Sequence, residues 1–140
     1  MKTTNDKIAV FVSFASTWLD QNKEDTQFRQ YVKKALKQVT KPYQEYNESQ
    51  EDLNIEYCAV EPDKIDGKDN PRAGVIIRNP DGTYAFTKAQ LADRNKKLRD
   101  LFRNKEVEVD VVFAPNFPMT LTDSELQAFE GFVIPEVKDE

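Results

Sequence analysis

Three carboxylates, Glu106, Glu108 and Asp110, stand at every second position of the run Glu106-Val107-Glu108-Val109-Asp110-Val111-Val112-Phe113. If that run is a strand, the three acids share one face, and such a row can hold Mg²⁺ for phosphoryl chemistry. The same alternation marks the wet side of any half-buried strand, so the row is read as surface and no metal is assigned to it. The segment Asp63-Lys64-Ile65-Asp66-Gly67-Lys68-Asp69-Asn70 offers oxygen ligands of the kind calcium takes. Its spacing departs from that of an EF-hand and two lysines stand among the acids, so it is read as a solvated loop. Cys58 is the only cysteine, and the chain has no histidine to activate it. A buried, inert thiol is the simpler reading. The lack of histidine also removes the usual general base, the serine and cysteine triads and the commonest zinc ligand. The four glycines are scattered and build no phosphate loop. No catalytic residue and no cofactor is assigned.

Charge is the other resource. Between Lys88 and Lys105 lie seven basic residues, Lys88, Arg94, Lys96, Lys97, Arg99, Arg103 and Lys105. They could bind phosphate, but an acidic run, Glu45, Glu48, Glu51, Asp52, Glu56 and Glu61, is available to pair with them, and pairing plus solvation is preferred. A formal net charge of −5 argues further against nucleic acid as the partner. Trp18, Phe28, Tyr31, Tyr43 and Tyr46 could present an aromatic surface, although core is the commoner fate of such residues. The residues picked out as partner-binding are Arg78, Asp81 and Tyr84 around one turn, and Arg94, Lys97 and Arg99 on the basic segment.

A chain of 140 residues fits one domain able to form a core without disulfides or metal. We expect residues 1–134 to be folded and 135–140 to be a flexible tail. Charged residues make up 32% and hydrophobic ones 39%, a balance that suits an elongated, surface-rich helical shape. One cysteine allows no intrachain disulfide, which fits an intracellular setting. The apolar run 8–14 is too short for a membrane span or a secretory leader and is followed by Trp18-Leu19-Asp20, so it is read as core.

The elements that must position these residues follow from caps and periodicity. Thr4 or Asn5 can cap a first helix whose face is Ile8, Phe11, Val12, Ala15, Trp18 and Leu19, with a strand over 8–14 as the alternative. A second helix starting at Asp25 or Thr26 carries Phe28, Val32, Ala35, Val39, Tyr46 and Leu53, with a kink or restart at Pro42. Residues 61–72 read as loop. A β-hairpin is predicted over 74–86, its turn formed by Asn79-Pro80-Asp81-Gly82. Thr87 and Gln90 form a capping box for a third helix with Leu91, Leu98, Leu101 and Phe102 on its apolar face. The run 106–113 is predicted as one strand, stopped by Pro115 and Pro118. Thr122-Asp123-Ser124-Glu125 opens a short fourth helix ended at Gly131. The predicted class is α+β and mostly helical: an antiparallel helical hairpin with a β-hairpin at its tip, and a C-terminal strand plus short helix packed on it. Apolar stripes are expected to hold the second and third helices together, with opposite charges selecting their register.

This order of elements, with Phe28-Arg29-Gln30-Tyr31, Asn79-Pro80-Asp81-Gly82-Thr83-Tyr84, Leu98-Arg99-Asp100-Leu101, Glu106-Val107-Glu108-Val109-Asp110 and Leu126 to Phe129, resembles a family of small, uncharacterised bacteriophage proteins. The resemblance implies a virion part or an assembly factor, located in the virion or the host cytoplasm. It brings no catalytic residues. The expected function is therefore non-enzymatic protein–protein interaction, with a phage or host protein or a second copy as partner and no membrane. The alternative is a small inhibitor that sequesters a host factor, a nucleotide-like ligand or a nucleic-acid-binding protein.

Overall fold

Four α-helices and six short strands make up residues 1–135, the part of the chain described by the computed structural model, and the class is α+β and mostly helical. The chain gathers into two compact units, Met1–Glu45 with Arg103–Glu140, and Tyr46–Phe102. Of the expected flexible tail, 135–140, Pro135 is instead the last residue of a strand, and 136–140 lie outside the described residues.

The first unit begins with strand β1 (Lys2–Thr4), which the sequence reading missed, and runs directly into α1 (Asn5–Gln21). Thr4 starts the helix by accepting a hydrogen bond from the Lys7 amide, and Asp6 sets a carboxylate against the positive end of the helix dipole. Ile8, Phe11, Ala15 and Trp18 are buried at helical spacing, which decides 8–14 as helix. Asn22 closes it, donating to the Trp18 carbonyl through both its amide and its side chain. Asp25 then accepts from the Phe28 amide at 3.1 Å and α2 (Thr26–Tyr57) starts. The helix passes through Pro42 without a break. The missing proline amide leaves one intrahelical bond unmade, and the 32-residue helix tolerates that loss.

Phe28, Val32, Ala35 and Val39 from α2 join the α1 stripe in one core with Val109, Val112, Ala114, Leu121, Ala128, Phe129, Phe132 and Val133. The predicted strand 106–113 is two strands, because its halves find different partners. β4 (Glu106–Glu108) pairs antiparallel with β1, Val107 opposite Thr3, and the next amide, Val109, donates to the Met1 carbonyl. The Val112 amide instead donates to Phe132, opening β5 (Val112–Ala114), which runs parallel to β6 (Val133–Pro135). Between them lies α4 (Asp123–Phe129), started by the Thr122/Glu125 capping box. Gly131 follows at φ 83°, the left-handed conformation that lets the chain leave the helix for β6.

In the second unit, residues 61–72 are more ordered than expected. β2 (Lys64–Ile65) and β3 (Lys68–Asp69) form a small hairpin closed by Asp66 and Gly67, both at positive φ. Asp-Gly is the sequence that such a two-residue turn prefers, so the signal was present in the chain. The turn at Asn79-Pro80-Asp81-Gly82 forms as expected, with Gly82 at φ 86° and Arg78 bridged to Tyr84. Its flanks do not extend into long strands, because residues 59–61 share their backbone partners: Ile77 donates to Ala59, Ala59 to Ala85 and Glu61 to Val75. The Thr87/Gln90 box starts α3 (Lys88–Leu98), which continues as a π-helical turn, Arg99–Arg103. The expected apolar face of α3 is corrected: neither it nor the π turn buries a single residue, and Leu91 and Leu101 are 44% and 54% exposed.

Trp18, the one tryptophan, sits edge-on to Phe28 in the first unit's core and reports that unit's unfolding. Phe11→Ala is expected to cost about 3–5 kcal/mol in urea denaturation followed by Trp18 fluorescence. Ile55→Ala, at an exposed site, is expected to shift the same transition by less than about 0.5 kcal/mol. Equal effects would contradict this assignment of the core.

Candidate interaction surface

The six residues singled out as partner-binding all fall in the second unit, in two groups. Arg78, Asp81 and Tyr84 meet at the Asn79-Pro80-Asp81-Gly82 turn. The Asp81 carboxylate accepts from the Thr83 hydroxyl at 2.6 Å and from the Thr83 amide at 3.0 Å. Asn79 donates to the Thr83 hydroxyl and to the Tyr84 carbonyl, so the turn is closed by side chains as well as backbone. The Arg78 guanidinium donates to the Gly82 carbonyl and lies 4.5 Å from the centre of the Tyr84 ring, within cation–π reach. The Tyr84 hydroxyl in turn donates to Glu51 on α2, which fixes the turn to the helix.

Arg94, Lys97 and Arg99 form the second group. Arg94 donates to Asn54 at 2.9 Å, and Lys97 reaches Glu56 at 3.1 Å while lying 5.6 Å from the centre of the Tyr57 ring. Both therefore hold α3 to α2, and they position the surface more than they project from it. Arg99 contacts its neighbour Asp100 and stays exposed. These are polar contacts at partly exposed positions, so each contributes little on its own.

Three titrations follow from this geometry. The hydrogen bonds from the Thr83 hydroxyl and amide hold the Asp81 carboxyl below the ordinary aspartate value. Glu51, accepting from the neutral phenol, pushes Tyr84 up, and Glu56 does the same to the Lys97 ammonium.

The positions considered for metal chemistry are not brought together. Glu106 and Glu108 lie on β4, Asp110 falls beyond it, and Glu108 takes the N-terminal ammonium at 3.0 Å. Among the described residues, no group of three potential ligands could hold a metal ion. In the 63–70 segment, Asn70 is engaged in the loop itself, donating to the Pro62 carbonyl and accepting from the Arg72 amide. Cys58 is buried, with its thiol 3.6 Å from the Ile55 carbonyl. No described helix is long and apolar enough to cross a membrane. A cavity of about 350 Å³ in the second unit is lined by Tyr57, Asp93, Lys96, Lys97, Asp100 and Leu101, a mixture of signs that selects neither anion nor cation.

What the sequence reading overlooked is apolar and exposed. Among the described residues, the second unit buries only Tyr46, Leu53 and Cys58, while Ile55, Val60, Ile65, Val75, Leu91 and Leu101 are exposed. The available signal was phase: Ile55 is out of step with the stripe that carries Tyr46 and Leu53. No protein-family model, curated protein or solved structure matches the chain.

A depressed Asp81 pKa means that its contribution to the turn is complete above the unfolded value, near pH 4, and is lost as pH falls through the folded value. The Thr83 amide resonance is expected to titrate with a midpoint below that of an unperturbed aspartate, and Asp81→Asn is expected to abolish the titration. A midpoint at or above the ordinary value would contradict the bonding described.

Proposed function

We propose that this chain is a non-enzymatic protein–protein interaction protein, a phage structural or morphogenesis component, that engages its partner through the second unit. One observation carries the reading: six large aliphatic side chains are exposed in a unit that buries only three apolar residues. Such a unit gains little from its own burial, and covering those side chains with another protein supplies what is missing. The phage setting, in the virion or the host cytoplasm, is supported by the resemblance in element order described above.

The test is capture by the immobilised chain from lysates of cells that carry its gene, in parallel with two variants. Ile55→Asp/Leu91→Asp/Leu101→Asp is expected to lose the protein that the unmodified chain captures. Val10→Asp/Phe113→Asp, at exposed sites of the first unit, is expected to retain it. Capture of nothing by the unmodified chain, or equal capture by both variants, would contradict the proposal.

A further inference from the structure

The second unit carries two exposed helical stripes of opposite charge, each with an aliphatic residue in it. On α2, Glu48, Glu51, Asp52 and Ile55 are spaced three and four apart, all are exposed, and they form one face. No basic residue interrupts α2 from Tyr46 to Tyr57. On α3 and its continuation, Lys88 and Arg99 lie near the middle of an exposed face with Leu91 at one edge and Lys96 at the other, Asp93 and Asp100 standing beyond Lys96. Ile55 is 51% exposed and Leu91 44%. The ion pair that joins the two helices within one chain, Lys97 to Glu56, uses neither stripe. Glu48, Asp52, Lys88 and Lys96 have no ion-pair partner among the described residues.

We infer that the partner of this surface is a second copy of the chain, the acidic α2 stripe of one copy docking on the basic α3 stripe of the other. This rests on the function proposed above and names its partner. Two faces that are complementary to each other on a single chain suit a two-fold pair, in which each contact is made twice. Ile55 of one copy then covers Leu91 of the other along one edge of the contact, and the charges beside them set register and partner choice. A basic or acidic foreign protein would satisfy one stripe and leave the other uncovered. A second copy satisfies both.

Sedimentation equilibrium on the full chain tests this through charge reversal at exposed positions. The unmodified chain is expected to be a dimer that weakens as salt is raised. Glu48→Lys/Asp52→Lys and, separately, Lys88→Glu/Lys96→Glu are each expected to raise the dimer dissociation constant by roughly a hundredfold, because like charges then face each other. An equimolar mixture of the two variants is expected to form a heterodimer, since both contacts are complementary again, and the four-substitution chain is expected to recover the homodimer. That recovery separates lost docking from lost folding. A monomeric unmodified chain at its highest soluble concentration, or a dimer indifferent to both reversals, overturns the inference. If the chain is monomeric yet still captures another protein that the triple aspartate variant loses, self-association falls and the interaction function stands. If capture fails as well, both fall.

Discussion

The ring of Phe11 lies flat on Phe132, with centroids 4.4 Å apart, and edge-on to Phe129 at 5.7 Å. That cluster joins the first helix to the last, elements separated by most of the chain, and the first unit depends on it. Closing so long a loop is entropically unfavourable, and only apolar burial on this scale offsets it. Phe28 extends the cluster, tilted against Phe129 on one side and edge-on to Trp18 on another. The remaining ties between the ends of this unit are smaller. The β1–β4 ladder is three residues long, and the N-terminal ammonium meets a Glu108 carboxylate that is largely exposed.

The second unit buries far less, only Tyr46, Leu53 and Cys58 among the described residues. Its parts are joined by backbone bridges around residues 59–61, by the Tyr84–Glu51 hydrogen bond, and by Arg94 and Lys97 reaching polar partners on α2. Each such contact contributes little once exchange with water is counted. One unit is stabilised by its own core, and the other leaves aliphatic side chains exposed, the contrast on which the proposed function rests. A surface that must be covered by another protein is built from the residues a core would otherwise have used.

Features set by a few adjacent residues were legible in the sequence. Thr4, Asp25, Thr87 with Gln90, and Thr122 with Glu125 cap helices where their side chains predict, because a cap needs only the three residues after it. The buried stripes on α1 and the first half of α2 were legible for the same reason, since one face of a helix repeats at a fixed interval. Features decided by distant partners were not. The alternation over 106–113 looks like one strand, and only the positions of Met1 and Phe132 divide it in two. The stripe Leu91, Leu98, Leu101 and Phe102 has the period of a buried face, yet periodicity cannot say whether anything covers it. The candidate site was half legible: its polar residues were found at the turn and on the basic helix, whereas Leu91 and Leu101 were read as a packed face and the other exposed aliphatics were not singled out.

The central claim is that stability is unevenly distributed, with one unit cored and the other not. Residue-resolved native-state hydrogen exchange on dilute, monomeric protein tests it most directly. Amides of α1, of α2 between Phe28 and Val39, and of α4 are expected to exchange only through global unfolding. Those of residues 59–61, 74–78 and α3 are expected to open far more readily, by local unfolding. Protection in α3 equal to that in α1, measured on the monomer, would contradict the account.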